Sequence, residues 1–443
     1  MRFSRCINRV LAFCFCVVTQ LLSNSIHAQD SLLKFEDAVK IALENNFDIL
    51  ISSNELSKQD LKNHAGEAGM LPDLNLDAAY SRSNNSTKQK YSNGDQVDRN
   101  NALSENMNAG ISLGWTIFDG TKMFSTKRRL AELSSQASTT LKIQMEDVYL
   151  SVTSAYYEIS RQQQLLKSIR EEIQLGKERV SIAERRLSNG SGSKLEVLHA
   201  KTDLNSMLSA EMSQSSEIKS TSIELNRLLS RKLETGFVVE DSVRVVFNPS
   251  LDDVKNKSKE SNKFRSYYRQ QLLISELALK ESSADRWPEL KLNGSYDFSN
   301  AENDAGFIRE NRNQGFNYGI TASMPLFSGF KLSRNVKAAR LDVINSRLRL
   351  EQTEEKINAD IIRAFQVFED QLSILHLEED NILAAREILF ISQERFKTGL
   401  SSILELKEIQ RSYEEAMNRL VDARFQAKIS EANLMRLSGV LIQ

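Results

Sequence analysis

Residues 110–120 read GISLGWTIFDG, and residues 319–329, 209 positions later, read GITASMPLFSG. At the same offset AERRLSNGSGSKLEVL (183–198) meets SQERFKTGLSSILELK (392–407). Arg186 matches Arg395, Gly190 matches Gly399, Leu195 matches Leu404, and Glu196 matches Glu405. MLPDLNLDAAY (70–80) matches RWPELKLNGSY (286–296) at an offset of 216. The seven extra positions, 216 less 209, fall between these blocks, where an exposed loop absorbs a change of length most simply. A chain written twice folds as two copies of one unit, so the fold is decided by what one half contains.

Each half reads as helix, strand, polar loop, strand, very long helix, turn, very long helix. The first half, 29–250, has expected strands at about 71–82 and 107–118 and helices at about 121–187 and 195–229. The second, 251–443, has strands at about 289–298 and 316–327 and helices at about 330–396 and 403–437. A short β-rich stretch from Val238 to Phe247, with Pro249, links them. Only four prolines occur, and none lies in 121–248 or 326–443. A set of ordinary domains needs more turns than that.

Residues 1–28 read as a signal peptide. Arg2, Arg5 and Arg9 precede an apolar run from Val10 to Val18, and Ile26-His27-Ala28 fits a cleavage site. All three cysteines (Cys6, Cys14, Cys16) lie in this leader, so the exported chain uses neither a disulfide nor a thiolate metal site. Beyond it the charges are 55 basic (58 less three) and 59 acidic. Such a balance gives no basic footprint for nucleic acid. No later segment has the 18 consecutive apolar residues of a membrane helix.

The strands carry a different membrane signature. Met107, Ala109, Ile111, Leu113, Trp115 and Ile117 alternate with Asn108, Gly110, Ser112, Gly114 and Thr116. Leu74, Leu76, Ala78 and Tyr80 alternate likewise, as do Leu290, Leu292, Gly294, Tyr296 and Phe298. Phe316, Tyr318, Ile320, Ala322, Met324 and Leu326 complete the set. This is a barrel pattern, apolar to lipid and small or polar to the lumen; a sheet packed on a soluble core gives the same period. Tyr80, Trp115, Tyr296 and Tyr318 are candidates for an interfacial aromatic belt. Segments 82–106 and 299–315 read as solvated extracellular loops. Four strands cannot close a membrane barrel, so a membrane-spanning reading requires oligomers: two chains give eight strands and three give twelve.

At about 1.5 Å per residue, the breaker-free run from Thr121 to Leu187 reaches about 100 Å. Leu141, Met145, Val148, Val152, Ala155 and Ile159 recur at four and three, and Ile357, Ile361, Ala364 and Phe368 repeat the seam. Heptads of this kind pack as coiled coils. A soluble periplasmic coiled-coil scaffold is the alternative reading.

LLKFEDAVKIALENN (32–46), WTIFDG (115–120), MPLFSG (324–329) and RFKTG (395–399) followed by ILEL (403–406) resemble the TolC-type outer-membrane efflux protein family. The resemblance covers nearly the whole chain after the leader. It implies a mainly α fold with a β membrane part: a homotrimer whose twelve-stranded β-barrel continues into a periplasmic coiled-coil α-barrel. It implies a passive exit channel in the outer membrane, for tripartite efflux or type I secretion. The implied partners are a periplasmic membrane-fusion adaptor and an inner-membrane pump of RND or ABC type, with no cofactor. Phe47 departs from the family, which often has proline after the asparagine.

By the same resemblance the turns between long helices are the tips that meet the adaptor, with Gly190, Gly399, Leu400 and Ile403 as contacts. Gly190 and Gly399 also suit the left-handed position after a helix end whatever the function. Glu405 and Glu408, six and nine residues after Gly399, match the acidic positions that ring the closed pore. Lying three apart they share a helix face, and the plain alternative is surface pairing with Lys407 or Arg411. Glu196 and Phe396 occupy matching latch positions, but Phe396 and Ser401 stand where a family member has tyrosine and arginine. His64, His199 and His376 carry no metal-ligand spacing, and no nucleophile elbow or phosphate loop occurs, so no catalytic reading has residues to rest on.

Overall fold

A computed structural model describes residues 31–241, 243–247, 249–305, 308–398 and 400–442, without the side chains of Ser31, Phe396, Lys397 and Ile403. The expected signal peptide and Gly399 lie outside the described residues. In chain order the elements are β1 (Ser31–Leu33), α1 (Phe35–Asn45), α2 (Phe47–Lys62), β2 (Asp73–Lys90), β3 (Gln96–Asp119), α3 (Lys122–Ser188) and α4 (Lys194–Leu228). They continue with β4 (Phe237–Val239), α5 (Leu251–Ser261), α6 (Lys263–Ala284), β5 (Glu289–Asn303), β6 (Glu310–Ser323), α7 (Lys331–Lys397) and α8 (Ile403–Ser438). Two compact units result, and they are not the two sequence halves. One takes the chain to Ile51, Lys142–Asn262 and everything from Ile357; the other takes Ser52–Leu141 and Lys263–Lys356.

The second unit holds a four-stranded antiparallel sheet in the order β2-β3-β5-β6. Leu74 lies opposite Leu113, Leu113 opposite Gly294, and Gly294 opposite Tyr318. The segments expected to be loops are largely strand. The β2 and β3 ladder continues to Lys90 and Gln96, leaving only 91–95 as a turn, and β6 starts at Glu310. Apolar alternation marks where a strand meets lipid, not where its backbone ladder stops; polar strands pair equally well. Arg82–Glu105 (3.1 Å) and Lys88–Asp98 (2.9 Å) bridge this polar extension. The last expected strand, 316–327, stops at Ser323. Pro325 has no N–H for a ladder, so Met324, Leu326 and Phe327 lie beyond the strand.

In the first unit the seam residues are core. Val152, Ile159 and Ile361 have no exposed surface, and Phe368 is nearly as buried. Ile357, Ile361 and Phe368 of α7 pack with Val254 of α5 and Leu434 of α8. Leu375 and Ile382 continue the seam against Ala416, Leu420, Ala423 and Ala427 of α8. The seam of α7 thus packs on a largely small-residue face of α8.

The first helix of each half is broken, which the sequence reading did not expect. Asn46 is extended (φ −62°, ψ 130°) between α1 and α2; Asn262 (φ −66°, ψ 122°) does the same between α5 and α6. The Asn46 side chain accepts from the Asp48 N–H at 2.9 Å, offering the backbone a partner that helix continuation would not use. Asn46 Nδ2 donates to the Leu228 carbonyl (2.9 Å), and Asn262 Nδ2 to the Leu437 carbonyl (3.1 Å). Each amide thus satisfies the open C-terminal end of its own half's long return helix. Leu228 and Leu437 are themselves 209 positions apart, so the duplication extends to these caps.

Among the described residues the β-rich linker pairs only at its start: Phe237–Val239 runs parallel to Ser31–Leu33. Tyr156 ties this two-stranded sheet to α3, donating to the Leu33 carbonyl (2.8 Å) and accepting from the Glu240 N–H (3.1 Å). Further on, the N–H groups of Val246 and Phe247 both donate to Glu431 Oε1 at 2.7 Å. That buried carboxylate replaces the missing ladder.

Candidate functional site

The sheet presents one face that is apolar and uncovered within the chain. Rows across the strands are Leu76, Ile111, Tyr296 and Phe316; Leu74, Leu113, Gly294 and Tyr318; Trp115, Leu292 and Ile320. Leu76 is 77 % exposed and Tyr318 82 %. Leaving such side chains in water forfeits about 1.5–3 kcal/mol each relative to apolar surroundings. Three outward positions beyond the Leu76 row, Arg82, Glu105, Glu302 and Glu310 form a fully charged row outside the band.

The opposite face is polar. Asp297 accepts from Ser295 Oγ (2.6 Å) and Asn317 Nδ2 (3.0 Å), and Asn293 Nδ2 donates to Thr321 Oγ1 (2.9 Å). Gly110 sits beside this group, where an added Cβ would lie 2.5 Å from the Asp297 carboxylate. A sheet apolar on one side and hydrogen-bonded polar on the other matches a wall between hydrocarbon and water. Among the described residues no helix is long and apolar enough to cross a membrane.

Of the four aromatic candidates, Tyr80 stands at a limit of the band and the other three just inside one. Tyr80 is the last apolar outward residue on the hairpin side of β2; Tyr296 and Tyr318 stand one outward position inside that limit on β5 and β6. Trp115 is at the helix side, where its Nε1 donates to the Met70 carbonyl (3.0 Å). Sequence reading passed over exposed Trp287, Phe327 and Phe330, also at the helix side. Phe327 and Phe330 meet edge to face at 5.5 Å.

The helical tips are built from capping. After α3, Gly190 takes a left-handed φ of +73°, with N–H bonds from Gly190 to the Leu187 carbonyl and from Ser191 to Arg186. Ser193 caps α4 by accepting from the Glu196 N–H (3.2 Å); Ser402 caps α8 by accepting from the Glu405 N–H (3.1 Å). The two glutamates therefore hold the same position in matching first turns, where a carboxylate complements the helix dipole. Leu400 is 72 % exposed. Leu195 and Leu404, equivalent in the two halves, are 64 % and 74 % exposed; the repeat alignment contained this signal. Gly399 lies outside the described residues, as do the side chains of Phe396 and Ile403.

Glu405 approaches Arg395 across the turn at 3.9 Å. Lys407 pairs instead with Asp203 of α4 (2.7 Å) and Arg411 with Glu415 (3.0 Å), so the pairing with Glu405 and Glu408 read from spacing does not form. Glu408 is exposed and, among the described residues, in no ion pair. Further along, Glu172 of α3 and Glu414 of α8 line a cleft of about 450 Å³ with Leu175, Leu389, Phe390 and Tyr413. Burial, reinforced by the charge of Glu414, pushes the Glu172 carboxyl up to about 7; nearby Arg179 opposes this. Burial raises Glu414 as well. Among the described residues no group of three or more histidine and acidic side chains could hold a metal.

A sheet with one lipid-compatible face, on a chain carrying two 67-residue helices, fits the class of outer-membrane channels. The outer membrane efflux protein model matches residues 38–231 and 269–440. The chain is 20 % identical to the outer membrane protein TolC of Escherichia coli K12 over 95 % of its own length and 86 % of the relative's. It is 21 % identical to protein CyaE of Bordetella pertussis, covering 86 % and 80 % of the two chains. Its fold is similar to that of the CmeC outer membrane channel of Campylobacter jejuni, with a TM-score of 0.77 at 15 % identity over 92 % and 86 % of the chains. The chain belongs to the outer membrane efflux protein family, as a TolC-type outer membrane factor. It is an outer-membrane channel for efflux or secretion, and the soluble scaffold reading falls with that assignment.

Proposed function

We propose that three copies share one twelve-stranded β-barrel in the outer membrane, that their long helices form a periplasmic α-barrel, and that the assembly is the passive exit duct of a tripartite efflux or type I secretion machine. The uncovered apolar face over all four strands carries this reading. In hydrocarbon the free edges of β2 and β6 would leave backbone groups unpaired, and a shared barrel removes both edges. An inner-membrane pump of RND or ABC type supplies the energy, through a membrane-fusion adaptor that docks on the tips. Exposed Leu195, Leu400 and Leu404 support such docking, and by the sequence resemblance Gly190, Gly399 and Ile403 belong to the same contact. Glu405 and Glu408 form the periplasmic gate, with Glu196 and Phe396 assigned to it by the sequence resemblance; under three-fold symmetry each glutamate becomes a ring of like charges that favours cations.

Membrane extraction and a detergent-corrected mass test the assembly. A trimer released only by detergent is expected, and a water-soluble monomer would overturn the barrel. Conductance in planar bilayers tests the gate: Glu405→Ala with Glu408→Ala lowers cation selectivity, and an unchanged reversal potential removes the assignment.

A further inference from the structure

The apolar band does not run square across the sheet. On the hairpin side its last outward residues are Tyr80 on β2, Met107 on β3, Phe298 on β5 and Phe316 on β6. Met107 lies opposite Tyr80. Met107 also faces Asn300, so the limit on β5, Phe298, is two residues nearer the helix side. Phe298 faces Gln314, so the limit on β6, Phe316, is two residues nearer again. The total descent is four residues over three strand-to-strand steps. The helix-side limit descends by the same total: Leu74 faces Leu113, and Phe118, Leu290 and Ala322 share a row two outward positions beyond.

A membrane is flat, so a slanting band measures the tilt of the strands within it. At about 3.4 Å per residue and about 4.8 Å between strands, four residues in three steps correspond to about 43°, within the tilt of membrane barrels. Closure continues the same slope. A fourth step carries the descent to about five residues, and lipid-facing residues must meet lipid-facing residues across the seam, so the offset is even. Six is the nearest even value. Eight would set Arg82 of the partner subunit against Tyr318, inside the apolar band, and four would flatten the slope at the seam.

We infer that the free edge of β6 joins the free edge of β2 in a second copy of this chain with Ile320 opposite Ala78 of the partner subunit, Tyr318 opposite Tyr80 of the partner subunit, and Ala322 opposite Leu76 of the partner subunit. β2 and β5 run one way and β3 and β6 the other, so the seam is antiparallel like the three ladders within the chain. The row from Leu74 through Leu113, Gly294 and Tyr318 then arrives at Tyr80 of the partner subunit, six residues on. The register follows from the band alone and is the same for any number of copies that closes the ring. It rests on the shared-barrel reading.

Beyond the leader the chain has no cysteine, which makes disulfide mapping clean. Ala322→Cys is combined in turn with Leu74→Cys, Leu76→Cys and Ala78→Cys, and the full-length protein is oxidised in outer-membrane vesicles. Directly opposed Cβ atoms lie about 5 Å apart and diagonal ones about 7–8 Å, beyond disulfide reach. Within one chain β2 and β6 are three strand spacings apart, about 14 Å, so only copies can be linked. Covalent dimers and higher species are expected to peak with Leu76→Cys and fall severalfold in the other two. A peak with Leu74→Cys or Ala78→Cys overturns the register and leaves the barrel standing. An oligomer with no disulfide in any variant overturns the β6–β2 seam. A monomer in detergent that never cross-links overturns the shared barrel itself.

Discussion

Asn46 and Asn262 are single residues that each do two jobs: they stop one helix and close the end of another. Removing either amide leaves a part-buried carbonyl at a helix end without this donor. Asn46→Ala and Asn262→Ala are each expected to cost about 1–3 kcal/mol. Asn45→Ala, which loses only an exposed contact to the Ile41 carbonyl, changes little. Thermal melts followed by helical circular dichroism would separate the three. None of this was legible beforehand. Asn46 in LENNF and Asn262 in ESNKF both look like surface residues, and their partners lie 182 and 175 positions away. The partners of Lys407 and Arg395 escaped for the same reason. Spacing along one helix names candidate neighbours, whereas packing of another segment selects among them.

At the scale of elements, helix extent was legible because breakers are easy to see: no proline interrupts Lys122–Ser188 or Lys331–Lys397, and serine caps follow each tip. Strand extent was not, because Asn/Ser-rich segments can form either loop or ladder. The α7 and α8 seam concentrates its largest buried ring at Phe368. Phe368→Ala is expected to cost about 3–5 kcal/mol. Phe390→Ala, on the exposed side of the same helix, costs far less, as chemical denaturation would reveal. The cleft between α3 and α8 adds a pH dependence. Its raised Glu172 holds a proton in the folded protein that the unfolded chain releases, between pH 4.5 and about 7. Folding therefore binds protons in this window, and stability falls as pH rises through it. Glu172→Gln should remove that component, so wild type and variant differ more in melting temperature at pH 8 than at pH 5.5. Parallel curves would rule out the effect.

For the whole molecule, the two sheet faces make opposite demands. Leu76 faces outward in the apolar band, whereas its neighbour Asn75 faces the polar side and lies opposite Ser112. Leu76→Arg is expected to cost about 2–4 kcal/mol, the penalty of a cation at mid-membrane depth. Asn75→Arg should leave stability near wild type and alter ion selectivity. Heat-induced gel mobility shifts measure the first and bilayer conductance the second. Equal effects on stability would contradict a lipid side and a water side. The duplication and the alternation carried this architecture in the sequence. The division into compact units did not show there, because each unit gathers segments from both halves.

The unpaired edges of β2 and β6 have a kinetic consequence. They are different surfaces, so in the shared barrel proposed above each copy is both a donor and an acceptor, like a link open at both ends. Head-to-tail links of this kind form rings when the angle closes and open ribbons when it does not. In that proposed assembly, a chain that has not yet met its neighbours is therefore a competent unit for runaway polymerisation. Ring closure competes with chain growth as an intramolecular step competes with a bimolecular one, so dilution favours closure and crowding favours ribbons. A holding factor that masks one edge during transit would suppress polymerisation even with the other edge bare.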